Sequence, residues 1–106
     1  MPNRIDAFLE LVVKQGGSDL HLISGNPPRV RLHGELIAIK YRELTSAETS
    51  ALLTDIMSPT AQKSFAERSS VDFTYAISGL ARFRVNVFRH VRGIGAVLRV
   101  IPEVVK

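Results

Sequence analysis

Two long runs of strict alternation, Ala81 to Phe88 and Ile94 to Ile101, constrain this chain more than any other feature. A strand shows successive side chains to opposite faces, so the first run puts Phe83, Val85 and Val87 on one side and Arg82, Arg84 and Asn86 on the other. Between the runs lies His90-Val91-Arg92-Gly93, whose glycine can supply the positive φ that tight turns use. The expectation is a β-hairpin. With a loop of residues 91–92 or 90–93, Arg84 stands opposite Arg99, while Phe83, Val85 and Val87 face Val100, Leu98 and Ala96. Two guanidinium groups then become direct neighbours. Like charges placed opposite each other in a sheet cost roughly 0.2–1 kcal/mol unless an anion or a carboxylate lies between them.

Charge distribution adds to this. The 106 residues carry a formal net charge of +4, yet of the acids only Glu103 falls after residue 78, and Gly79 to Pro102 holds five arginines (Arg82, Arg84, Arg89, Arg92, Arg99) and no acid. A surplus concentrated on one hairpin points to a site rather than to a uniformly basic surface. The absence of cysteine removes disulfides, thiolate nucleophiles and cysteine-ligated zinc. No apolar run approaches the roughly 18 residues of a membrane span, and no signal peptide opens the chain, so cytoplasm is the default. Length and a hydrophobic content of 45% suit one domain, residues 1–106, with one core.

The remaining segments read as follows. Residues 4–15 place Ile5, Phe8, Leu9 and Val12 at helical spacing, with Asn3 available as N-cap and Gly16-Gly17 as terminator. Asp19 to Ile23 is a short strand with Leu20 and Leu22 on one side and Asp19 and His21 on the other. After a Gly25-Asn26-Pro27-Pro28 turn, Arg29 to His33 and Leu36 to Lys40 form a second hairpin about His33-Gly34-Glu35. Thr45 and Glu48 fit a capping box for a helix running to Met57. Ser58-Pro59 starts another helix that reaches about Arg68. Ser70 to Ile77 alternates again, with Val71, Phe73, Tyr75 and Ile77 inward. The fold class is therefore α+β: an antiparallel sheet of about six strands with helices over one face.

The polar face of that sheet collects Asp19, His21, Arg29, Arg31, His33, Asp72, Thr74, Arg82, Arg84, Asn86 and Arg99, the pattern of an anion-contact or docking surface. Arg84 and Arg99 are suited to bidentate oxygen recognition by their planar forks, or else are neutralised within the sheet by Asp72 or Asp19. His21 and His33 lack a third ligand at a metal-binding spacing, so hydrogen bonding is expected of them. Ser18-Asp19 reads as turn or strand-start chemistry rather than as a catalytic dyad.

Three motifs, SDLHL at Ser18 to Leu22, GNPPRVRLHGEL at Gly25 to Leu36 and ARFRVNVFRHVRGIGAVLRVIP at Ala81 to Pro102, carry a family resemblance. In this order they resemble the N-terminal domain of PilT-type retraction ATPases of type IV pili, members of the wider GspE/PilB/PilT secretion ATPase family. The resemblance covers essentially the whole chain, and a first helix that follows directly on residue 1 favours the PilT type over GspE or PilB. It implies a PAS-like domain followed by a RecA-like motor domain, and a homo-hexameric ring, cytoplasmic and peripheral at the inner membrane, working with a pilus or secretion platform. ATP and magnesium are the cofactors it implies for the full-length protein, with none for these 106 residues. It further implies that arginines of this domain contact the phosphates of nucleotide held by the motor domain. The matching positions are Arg84 and Arg99, with Arg82 and Arg92 as lesser candidates.

The chain stops at Lys106, before any GxxxxGK(S/T) phosphate loop or Walker B acid, so these residues alone are not expected to hydrolyse ATP. A regulatory and oligomerisation role is expected instead. The competing classes are a basic nucleic-acid-binding module and a PAS-like ligand sensor. Single-strand binders pair basic grooves with exposed aromatics, and here Phe83 faces inward and only Phe88 is placed to stack, so no nucleic-acid partner is expected. A sensor would need something other than the ordinary aliphatic side chains that fill the inward positions.

Overall fold

The computed structural model describes residues 3–39 and 41–101. Along the chain run α1 (Ile5–Lys14), β1 (Asp19–Ile23), β2 (Arg29–Leu32), β3 (Glu35–Ala38), α2 (Ser46–Thr54), α3 (Pro59–Arg68), β4 (Ser70–Ile77), β5 (Ala81–His90) and β6 (Gly93–Ile101). The strands form one six-stranded antiparallel sheet in the order β3-β2-β1-β6-β5-β4. The expected α+β class is met. No helix among the described residues is long and apolar enough to cross a membrane.

The hairpin forms in the expected register: Arg84 pairs with Arg99, and Phe83, Val85 and Val87 pair with Val100, Leu98 and Ala96. Parity then sorts the faces. Phe83, Val85, Val87, Ala96 and Leu98 are fully buried, while Arg82, Arg84 and Arg99 are exposed. The buried face is closed by α1 over β1, α2 over β6 and α3 over β4. Ile5, Leu9 and Val12 of α1 and Leu52 and Leu53 of α2 meet Leu20, Leu22 and Val30 of the sheet in a single core.

Local chemistry explains the helix starts. At α2 the Thr45 hydroxyl accepts from the Glu48 amide at 3.1 Å and the Glu48 carboxylate accepts from the Thr45 amide at 2.9 Å, completing the capping box. At α3 the Ser58 hydroxyl accepts from the Ala61 amide with Pro59 at the first helical position. Arg42 also donates to Glu48, at 2.6 Å, and this bond together with the Thr45 amide lowers the carboxyl from 4.5 to about 2. The sign of the linkage follows. Above pH 4.5 Glu48 is ionised in folded and unfolded chain alike and its contribution is complete; as pH falls from 4.5 through 2 the unfolded chain takes up the proton first and the contribution disappears. Glu48→Gln is expected to flatten the acid dependence of stability in that window, as read by urea unfolding at a series of pH values, and an unchanged slope contradicts the assignment.

Several expectations need correction. Asn3 is not a side-chain cap for α1: its carbonyl accepts from the Asp6 amide, while its amide group donates to the Tyr75 hydroxyl, which itself donates to Asp6. Helix α2 ends at Thr54, and Ile56 lies beyond it in a turn. His33 does not project from a strand face. It sits with Gly34 in a two-residue turn, both at positive φ (51° and 83°), which is the twist a short hairpin requires. The turn therefore excludes Glu35, which begins β3 instead. The expected strand end at Lys40 and the hairpin end at Pro102 lie outside the described residues.

Candidate functional site

Sheet order assembles a cross-strand row that no single segment contains. From β3 to β4 the paired residues are Leu36, Arg31, Asp19, Arg99, Arg84 and Thr74, all on the face opposite the core. Beside the Arg84–Arg99 pair, the next row supplies Val97, Asn86 and Asp72. Arg84, Arg99, Asp72, Asn86 and Val97 together line a shallow open depression of about 360 Å³. Its floor is backbone and Val97, and its charge comes from two arginines and one aspartate.

Which carboxylates the arginines meet decides what the depression can do. Asp72 accepts a hydrogen bond from the Asn86 amide at 3.0 Å. Asp19 is 3% exposed and committed elsewhere: Oδ1 accepts from the Ser18 hydroxyl at 2.5 Å, and Oδ2 lies 2.6 Å from His21 Nε2 and 3.5 Å from Arg31 Nε. Burial pushes its carboxyl up, but the Ser18 hydroxyl, His21 and the charge of Arg31 outweigh burial and hold it below the usual aspartate value. Among the described residues neither Arg84 nor Arg99 makes an ion pair or a side-chain hydrogen bond. Two exposed guanidinium groups side by side are chemically suited to oxyanion recognition, with Asp19 committed to Ser18, His21 and Arg31 and the exposed Asp72, bonded to the Asn86 amide, sharing the depression.

Known proteins share both the sequence and this architecture. Over 99 residues the chain is 44% identical to the type IV pilus retraction ATPase PilT of Pseudomonas aeruginosa, covering 93% of this chain and 29% of the relative. A crystal structure of the pilus retraction motor PilT with bound ADP superposes with a TM-score of 0.88 at 31% identity, over 100% of this chain and 31% of that one. The chain is similar to PilT-type ATPases in both sequence and fold. The Legionella pneumophila ATPase DotB matches as well, with a TM-score of 0.81 and 29% identity over 92% of this chain and 28% of that one. No protein-family model matches. The chain thus spans under a third of the length of the PilT-type proteins it matches.

Within this fold the four arginines singled out from sequence do not converge. Arg84 and Arg99 line the depression; Arg82 shares their face and lies one row away, paired with Ile101 and Ala76. Arg92 is in the hairpin turn, packed over Gly25, where a Cβ would meet its Nη1 at 2.9 Å. From Arg84 to that turn is six residues of strand, about 20 Å. Phe88 is half-buried with its ring over Gly95. Alternation offers Asp19 as one possible neutraliser of these arginines, but not the pairing of β1 with β6 that sets it directly beside Arg99. Strand alternation is silent about which strands become neighbours across a sheet.

Proposed function

We propose that the chain is the N-terminal domain of a secretion or pilus motor ATPase and that Arg84 and Arg99 contact the phosphates of a nucleotide held by a RecA-like motor domain, of the same or a neighbouring subunit. The observation that carries the reading is the Arg84–Arg99 pair itself, exposed, without an ion-pair partner among the described residues, and beside an Asp19 carboxylate that is committed to Ser18, His21 and Arg31. Similarity to a type IV pilus retraction ATPase supports it, as does the ADP bound in a PilT structure of the same fold. In this reading residues 1–106 regulate and help assemble a homo-hexameric ring at the cytoplasmic face of the inner membrane, alongside a pilus or secretion platform, while ATP and magnesium are bound by the motor domain. Arg82 stands at the margin of the contact. Arg92 is left out of it, being at the far end of the hairpin.

The test uses the longer protein that includes the motor domain. Loss of one charge-assisted contact to a phosphate is worth roughly ten- to a hundredfold. Arg84→Ala and Arg99→Ala are each expected to lower the ATPase rate by at least about tenfold on that scale, while Arg92→Ala stays near the parent. An ATPase rate and pilus retraction unchanged in both the Arg84 and the Arg99 variants would falsify the assignment.

A further inference from the structure

Asp19 is the one acid in the arginine row. It has Arg31 of β2 and Arg99 of β6 as its two cross-strand neighbours. Cβ atoms at such positions stand about 4.5–5.5 Å apart, so a carboxylate there is within reach of either guanidinium. Yet Asp19 is engaged with Arg31 and not with Arg99. Each oxygen already has a short partner, the Ser18 hydroxyl on Oδ1 and His21 Nε2 on Oδ2. These two bonds fix the side chain in one rotamer, since an aspartate at a strand position has few staggered alternatives.

We propose that Ser18 and His21 are positioning residues that hold the Asp19 carboxylate away from Arg99 and thereby keep the Arg84–Arg99 pair open to a phosphate-bearing ligand. This rests on the reading of that pair as a phosphate contact. The physical logic is competition: a carboxylate and a phosphate oxygen want the same guanidinium fork, and the carboxylate, being tethered next door, wins unless its oxygens are already satisfied. With Ser18 or His21 removed, Asp19 has an unsatisfied oxygen in a largely buried position, and Arg99, its cross-strand neighbour on β6, is an uncommitted donor among the described residues. The row then reads as two ion-paired arginines flanking Asp19 and a single remaining cation, Arg84, facing the depression. A weaker anion site follows. The motif at Ser18 to His21 thus acts on the distant hairpin through one side chain.

The experiment observes the Arg84 and Arg99 Nε–Hε groups of the chain by NMR, with pyrophosphate as the probe. In His21→Leu the Arg99 resonance is expected to move before any ligand is added, and to return to its parent position in His21→Leu/Asp19→Asn. Pyrophosphate binding weakens about tenfold in the single variant, the loss of one charge-assisted contact, and recovers in the double variant. Ser18→Ala, at an exposed residue whose replacement threatens folding least, moves both readouts in the same direction. A general structural role for His21 would not be rescued by changing Asp19. Arg99 resonances that stay at the parent position in both single variants overturn the proposal. If Arg99 responds as described while pyrophosphate perturbs neither arginine in the parent chain, the hold on Asp19 stands and the phosphate reading is lost.

Discussion

Phe83→Ala is expected to lower the stability of this domain by about 3–5 kcal/mol, the usual cost of emptying a fully buried aromatic position. Phe83 is 0% exposed and is the largest fully buried side chain among the described residues. It stands on β5 with Val100 and Tyr75 as its cross-strand partners, so its ring is packed between two strands and beneath the helices that cover the sheet. Truncation removes the transfer free energy of the ring and leaves a cavity that paired strands on both sides cannot collapse to fill. Against a total stability of about 5–15 kcal/mol for a domain of this kind, such a loss is about a fifth or more. Urea unfolding should show the midpoint falling with little change in slope, and Phe83→Leu, which keeps most of the apolar volume, should lose much less. A Phe83→Ala variant within about 1 kcal/mol of the parent, well under the cavity scale, would contradict the burial on which the hairpin's sorting depends. The same alternation that buries Phe83 exposes Arg82 and Arg84, so stability and site depend on one register.

That register was legible because both ingredients were local: a two-residue turn and two alternating runs fix which residues oppose each other without reference to the rest of the chain. The helix starts at Thr45 and Ser58 were legible for the same reason, since each cap is a side chain and an amide three residues apart. What escaped depends on distant partners. Asn3 has the chemistry of a cap, but Tyr75, far along the chain, supplies a competing hydrogen bond to its side chain. His33 in the turn beside Gly34 was legible, and only its count on the polar strand face fails, for the local reason that both turn residues leave the ladder at positive φ. Asp19 has the parity of a solvent-facing residue and is nevertheless buried, because β6 closes on one side of it and β2 on the other. The candidate site was therefore visible in its charges, two cations from alternation with Asp19 and Asp72 as their possible partners, but not in the Ser18 and His21 contacts that occupy Asp19.

Gly93→Ala should be the most damaging change at the hairpin turn, and for two separable reasons. Gly93 opens β6 at φ 135°, a conformation that side chains rarely adopt, and an alanine there carries roughly 1–3 kcal/mol of backbone strain. The second reason is contact. A Cβ at this position would lie 2.3 Å from the Ser46 Oγ, 3.0 Å from the Ser46 Cβ and 3.1 Å from the Ser24 Oγ. Ser46 can turn its hydroxyl aside but not its Cβ. Ser24 cannot move cheaply either, because its hydroxyl is buried, donating to the Ile94 carbonyl at 2.7 Å and accepting from the Ile94 amide at 3.1 Å. Overpacking of this kind adds about 1–3 kcal/mol. The two contributions come apart in a double-mutant cycle with Ser46→Gly, in which the contact with α2 is relieved and the φ strain is retained. Ser46 is the first residue of α2 rather than its cap, so Ser46→Gly alone is expected to cost little, about 1 kcal/mol at most. Measured by urea unfolding, Gly93→Ala in the parent should lose clearly more stability than Gly93→Ala in the Ser46→Gly background. Equal losses in the two backgrounds would mean that only the turn needs this glycine, and that β6 does not approach α2 closely enough to require it.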